Sequence, residues 1–205
     1  MSSQTGMFGL LTIVVVLSAT LRTAPVSAQD RKACHPVLNP TEAHYVIGYG
    51  SLMSTASKNE TWNDTGTSRP VMLRGFQRSW NARGRGIGFS TTFLGVRPAP
   101  GARMTASLYR VRNIAEFRPG DKRERIYCRV AVSPARVRAL DGRRVPPDGK
   151  IWIYVLKPGS AKAPDARFPL IQSYVDLFVG GCMELAARVV DKSIDFPAAC
   201  VATTK

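Results

Sequence analysis

Apolar positions along this chain come in short runs separated by glycine, proline and polar clusters, the pattern of many short strands with a few helical pieces. The run Tyr45-Val-Ile-Gly48 predicts a short buried strand, after which Gly48 and Gly50 permit a turn that side chains would obstruct. Residues 54 to 68, rich in Ser, Thr, Asn and Asp, predict a polar loop or a short helix. Pro70 to Trp80 has strand character, and the glycine-rich stretch Arg83 to Gly88 predicts a flexible connection. Thr91 to Val96 and Arg103 to Val111 predict two strands separated by a Pro-Ala-Pro-Gly turn at residues 98 to 101. Ile126 to Val132 and Lys150 to Leu156 supply two more strands. Between Leu170 and Val190, apolar positions at Ile171, Val175, Phe178, Val179, Leu185 and Val189 predict two helical pieces broken at Gly180-Gly181.

This order of elements predicts an α+β fold: a mixed β-sheet, strongly curled or barrel-like, around one core, with helices packed outside. Strand and helix do not alternate regularly enough for a doubly wound sheet. No internal repeat and no low-complexity tract appears.

The first residues change where that fold begins. Met7 to Leu21 is apolar but too short to span a bilayer comfortably, and Val26-Ser27-Ala28 has small residues where a signal peptidase cuts. Residues 1–28 therefore read as a signal peptide, with cleavage expected before Gln29, although Met1 to Gly6 carries no Lys or Arg and an uncleaved anchor is the alternative. Residues 29–44 form an extended, proline-containing segment, and residues 45–205 a single domain. About 177 residues remain after cleavage, enough for one domain with a single core. The expected location is exported, periplasmic or secreted, with no stable membrane insertion once the leader is gone.

Cysteine usage agrees with export. All four cysteines, Cys34, Cys128, Cys182 and Cys200, lie in the expected mature chain, and an even number in an exported domain points to disulfides. Three pairings are open; Cys182 with Cys200 is preferred because it closes a short loop at the C-terminal end. Cys128 and Cys182, in apolar surroundings, also suit ordinary buried thiols. The spacing does not suit paired metal ligands and only His35 and His44 are available, so no metal is expected. Two Asn-x-Thr sequons, at Asn59 and Asn63, matter only in a host that glycosylates exported proteins.

The formal charge is +15, one less without Arg22 of the leader, and favours anionic partners by long-range steering. Its densest stretch interleaves Arg74, Arg78, Arg83 and Arg85 with Phe76 and Trp80. Such a pattern suits single-stranded nucleic acid. The favoured reading is plainer: Leu73, Phe76 and Trp80 face inward, the arginines form a solvated face, and no nucleic acid is expected. Nothing in the sequence specifies an oligomeric state.

Two segments carry candidate chemistry. In Gly48-Tyr-Gly-Ser-Leu-Met53, Met53 stands where a dinucleotide fingerprint needs glycine, and no Gly-Lys-Ser/Thr follows. Ser51 lacks the Gly-x-Ser-x-Gly elbow of a nucleophile. What remains is either a structural turn or a strand-to-loop turn whose backbone N–H groups converge on a carboxylate or oxyanion. The second segment, Asp121-Lys-Arg-Glu-Arg-Ile-Tyr127, offers Glu124. Among Lys122, Arg123 and Arg125 it reads as a surface carboxylate in an ion-pair cluster. In an extended segment, alternation would instead put Glu124 on one face and both adjacent arginines on the other, so that desolvation raises its pKa towards neutral. Tyr127 then lies opposite, and joins the same site only through a bend or bulge.

Gly-Tyr-Gly-Ser-Leu at residues 48 to 52, Leu73-Arg-Gly-Phe76, Arg123-Glu-Arg-Ile-Tyr127 and Gln172-Ser-Tyr-Val175 occur in the order seen in the gamma-glutamylcyclotransferase-like family, including its ChaC-related branch. The chain resembles that family over about residues 45 to 182. The resemblance implies a barrel-like mixed fold, a substrate-cradling loop at Tyr49, Gly50, Ser51 and Leu52, a catalytic glutamate at Glu124 and a substrate-binding role for Tyr127. It implies cyclisation of a small gamma-glutamyl amide or peptide to 5-oxoproline, with release of the attached amine, without cofactor or metal. The leader is unusual for a family associated with cytosolic glutathione or gamma-glutamyl peptide metabolism. A contrasting expectation is a non-catalytic basic domain that holds an anionic ligand or envelope component.

Overall fold

A computed structural model describes residues 34–85 and 88–205. The leader and its cleavage site lie outside the described residues, as do residues 86 and 87. Six strands form one mixed sheet: β1 (His44–Gly48), β2 (Arg69–Gly84), β3 (Thr91–Val111), β4 (Tyr127–Val132), β5 (Val137–Ala139) and β6 (Lys150–Leu156). Their order is β4-β6-β1-β3-β2-β5, with β1 and β6 parallel and every other pair antiparallel. The sheet is mixed as the pattern predicts; it is open, with β4 and β5 as its unpaired edges.

Side chains alternate across the strands and build a core on each face. One face carries Ile47, Leu73, Leu94, Met104, Ile151 and Ile153. It is covered by Phe178, Cys182 and Leu185 of α3 (Gln172–Ala186) and by Phe196 and Cys200 of α4 (Phe196–Ala202). The other face is aromatic: Val46, Tyr109, Tyr127, Trp152 and Tyr154 pack with Trp62 and with Phe117 of α2 (Phe117–Arg123). A fourth helix, α1 (Thr55–Asn59), lies in the stretch expected to be loop or short helix.

Three expectations are corrected. First, the Pro-Ala-Pro-Gly segment does not end a strand: β3 runs unbroken from Thr91 to Val111. The ladder with β2 passes from Phe76↔Pro98 to Arg74↔Arg103, leaving residues 99–102 outside it, where the missing N–H of Pro100 breaks no β2 pairing. Strand β2 likewise continues through Arg83 and Gly84, into the segment expected to be a connection.

Second, α3 passes straight through Gly180-Gly181. A Cβ at Gly181 would stand 2.7 Å from the backbone nitrogen of Ser54, so this glycine lets the helix lie against the turn after β1. Helix α4 has no counterpart among the predicted elements, although the Asp195 side chain accepts from the Ala198 N–H at 3.0 Å and Pro197 sits in the first turn, both helix-start signals.

Third, Arg78 does not belong to a solvated face. It is completely buried, and its guanidinium donates to the carbonyls of Tyr49, Thr105 and Cys200 at 3.1, 2.9 and 2.7 Å and to the Thr204 hydroxyl at 2.8 Å. Arg83 is also engaged, pairing with Asp165 and donating to the Ala163 carbonyl. Leu73 and Phe76 do face inward, and Trp80 packs partly buried against the same core.

The cysteines form two disulfides. Cys182–Cys200 joins α3 to α4, the preferred pairing, and Cys34–Cys128 ties the N-terminal segment to β4. Two disulfides are the state expected in an oxidising compartment. No described helix is long and apolar enough to cross a membrane.

Candidate active site

The turn after β1 is a single 3-10 turn over Ser51–Met53, closed by Met53 N–H to the Gly50 carbonyl at 3.0 Å. Tight packing enforces the small residues: a Cβ at Gly48 would stand 2.6 Å from Ser107 Oγ, and one at Gly50 would stand 2.8 Å from the Tyr174 hydroxyl. The first N–H groups of such a turn have no partner within it, so they point outward as donors. The Tyr174 hydroxyl lies directly against this turn, where it would meet any side chain placed at Gly50. Behind the turn, the Tyr49 hydroxyl donates to the Tyr154 carbonyl at 2.5 Å, and Arg78 holds the Tyr49 carbonyl.

Glu124 reaches the same place from a different element. The segment from Asp121 is helical, not extended, and Glu124 is the C-terminal cap of α2 with φ −87° and ψ 30°. Face alternation along a strand is therefore not what separates Glu124 from its neighbours. A turn follows, closed by the Tyr127 N–H to the Glu124 carbonyl at 2.9 Å, and it swings Tyr127 to the start of β4 on the same wall as Glu124. This is the bend that the strand pattern required for Tyr127 to join. The Tyr127 hydroxyl donates to the Leu94 carbonyl at 2.8 Å.

Tyr49, Gly50, Ser51, Leu52, Glu124 and Tyr127 all line one cleft of about 750 Å³. Leu94, Tyr154 and Tyr174 complete its inner wall, while Arg85, Lys122 and Arg125 stand around it. Burial pushes the Glu124 carboxyl up to about 7, against the lowering influence of Arg123. Among the described residues its carboxylate accepts no hydrogen bond; its nearest charged partner is Arg123 Nε, 3.6 Å from Oε1. Burial also raises the hydroxyls of Tyr49, Tyr127 and Tyr154 well above their usual range, and that of Tyr174 to about 12, so all four are neutral donors at pH 7.

Two contributors escaped the sequence reading. Arg123 does not point away from Glu124. Its Nη1 donates to the Ser57 carbonyl at 2.6 Å and Thr61 Oγ1 at 3.1 Å, and its Nη2 to Ser51 Oγ at 3.2 Å and Ser57 Oγ at 2.8 Å. One side chain thus ties the cradle, α1 and the base together. Tyr174 sits in the Gln172-Ser-Tyr-Val motif, so its signal was present; its contact with the turn depends on how α3 packs. Neither histidine lines the cleft, and the Ser51 hydroxyl is occupied as an acceptor for Arg123.

Among solved structures, the chain is similar to a gamma-glutamyl cyclotransferase with a TM-score of 0.59 and 13% identity, over 79% of this chain and 88% of that one. It is also similar to the ensemble-refined crystal structure of an uncharacterized protein from Homo sapiens, with a TM-score of 0.57 and 14% identity over the same shares. No protein-family model and no curated protein sequence matches the chain. At such identities the likeness is one of architecture: the chain has a gamma-glutamyl cyclotransferase-like fold.

Proposed function

We propose that this protein is a gamma-glutamyl cyclotransferase that converts a gamma-glutamyl amide or peptide to 5-oxoproline, with Glu124 as the acid/base. The observation that carries this reading is the position of Glu124: a largely buried carboxyl, its side chain 13% exposed, pushed up to about 7 in the same cleft as the Gly50–Leu52 backbone. A carboxyl poised near neutral pH both takes and returns a proton efficiently.

In the proposed reaction the α-amine of the substrate attacks its own γ-carbonyl carbon. Glu124 takes a proton from that amine as the ring closes and delivers it to the departing nitrogen as the amide bond breaks. The backbone of Gly50, Ser51 and Leu52 meets negative charge on the substrate, on the α-carboxylate or on the developing oxyanion, and the neutral Tyr174 hydroxyl adds a donor beside it. Tyr49 and Tyr127 shape the wall against which the substrate folds. Because the nucleophile is intramolecular, holding the cyclising conformer supplies part of the acceleration.

The two disulfides support work in an oxidising compartment, in keeping with the exported location inferred from the leader. The deciding experiment is release of 5-oxoproline from a panel of gamma-glutamyl peptides and amides. The wild-type chain should turn over at least one member, and the folded Glu124→Gln variant should do so about a thousandfold more slowly. A fully active Glu124→Gln variant, or no turnover of any member by the wild type, would end this reading.

A further inference from the structure

We infer that the cleft selects gamma-glutamyl peptides whose leaving group is itself acidic, such as glutamate or a γ-linked oligoglutamate, over those that release a neutral amine. The inference rests on the cyclotransferase reading above and adds the identity of the leaving group.

Charge in the cleft is divided by role. Glu124 and the Gly50–Leu52 turn would engage the reacting γ-glutamyl unit. Arg123 cannot serve a second ligand carboxylate without giving up contacts, because both of its terminal nitrogens already donate to protein oxygens. Three further cations line the cleft: Lys122 on α2, Arg125 in the turn after Glu124, and Arg85 beyond the end of β2. All three are exposed, and none forms an ion pair among the described residues. Arg85 stands over the Phe168 ring at 5.4 Å, and the backbone of Arg125 is held by Lys157 Nζ at 2.8 Å. Among the described residues, the acidic side chains on the same lining are Glu60 and Glu124 itself.

A volume of about 750 Å³ exceeds what one γ-glutamyl unit fills, so the cleft has room for the group beyond the scissile amide. That group meets a wall on which three exposed cations, Lys122, Arg125 and Arg85, outnumber the single exposed carboxylate of Glu60. Several carboxylates on it would complement Lys122, Arg125 and Arg85, and would draw the substrate in by long-range attraction. The chemistry balances without a co-reactant. The α-amine nitrogen bonds to the γ-carbon, the bond from that carbon to the peptide nitrogen breaks, and the amine's proton passes through Glu124 to that nitrogen. The products are 5-oxoproline and the acidic fragment with a free amine.

The test compares γ-glutamyl-glutamate with the same peptide carrying both distal carboxylates as amides. These probes share size and scissile bond, so the ratio of their kcat/KM values cancels any change in Glu124. The wild type should prefer the acidic peptide by about tenfold at low ionic strength, and 0.5 M salt should shrink that preference. The Lys122→Gln/Arg125→Gln double variant should bring the ratio to within about twofold of unity. A wild-type ratio at or below one, or a ratio unchanged in the double variant, overturns the inference while leaving cyclotransfer intact. No 5-oxoproline from either peptide or from the wider panel removes the catalytic reading and this inference with it.

Discussion

Arg78 and Glu124 are both ionisable residues drawn back from water, Arg78 completely and Glu124 with its side chain still 13% exposed to the cleft, and both bear on the turn that begins at Tyr49. Arg78 is surrounded by oxygen acceptors from the turn after β1, from β3 and from the C-terminal segment, and its guanidinium lies 4.6 Å from the Phe178 ring. Glu124 has one cation at 3.6 Å and no hydrogen-bond donor among the described residues. A saturated buried charge locks the segments it touches. A buried carboxyl with so few partners stays close to gaining a proton at neutral pH. The same turn is therefore braced from one direction and faced from the other by a carboxyl that titrates near neutral pH.

The largest expected effect separates these two roles. Glu124→Gln should lower 5-oxoproline release by about a thousandfold, within the range of lost acid/base catalysis. It should not destabilise the fold. Between the ordinary carboxyl value of 4.5 and about 7, the unfolded chain loses its proton while the folded chain keeps it. Stability is thus fully present below 4.5, falls as pH rises to about 7, and levels off above. Glu124→Gln should remove that decline, worth about 3 kcal/mol, and unfold later than wild type at pH 8 in urea.

Arg78→Met should do the opposite. It strands several buried carbonyl oxygens and should destabilise the protein by about 3 kcal/mol in the same urea titration. Arg78→Lys, which restores a charge but not the planar fork, should recover only part of this.

Arg123→Gln tests the link between the two sides. It removes the cation that holds the Glu124 pKa down, so the acid limb of the kcat/KM profile should move upward by about one pH unit. A purely structural role for Arg123 would lower activity without moving that limb. The smallest effect is expected from Tyr127→Phe, which loses the bond to Leu94. It should cost about 1 kcal/mol of stability and less than about tenfold in kcat/KM.

Much of this architecture could be read from the chain. The strands β1 (His44–Gly48), β4 (Tyr127–Val132) and β6 (Lys150–Leu156) lie where the sequence pattern predicts them, and the glycines at 48 and 50 marked the turn correctly. Pro98 to Gly101 and Gly180-Gly181 misled because local signals for a break were overridden by tertiary packing: a ladder that keeps Pro98 paired and steps past Pro100 alone, and a helix that needs Gly181 to reach Ser54. Arg78 was illegible for a related reason. Its acceptors come from residues 49, 105, 200 and 204, a constellation that no local window contains. Glu124 was identified by its place in a motif, whereas strand alternation gave the wrong local geometry. Its burial at a helix end, beneath tyrosines from other elements, emerges only once α2 packs against the sheet.

The central claim is that a single buried carboxyl with a pKa near 7 moves the proton in cyclisation. It is tested most directly by the pH dependence of kcat/KM for 5-oxoproline release from a gamma-glutamyl peptide, comparing wild type with Glu124→Gln. The account predicts a wild-type profile with an acid limb inflecting near 7, and loss of both activity and that limb in a variant that still folds. An acid limb unchanged in an active Glu124→Gln protein would contradict it.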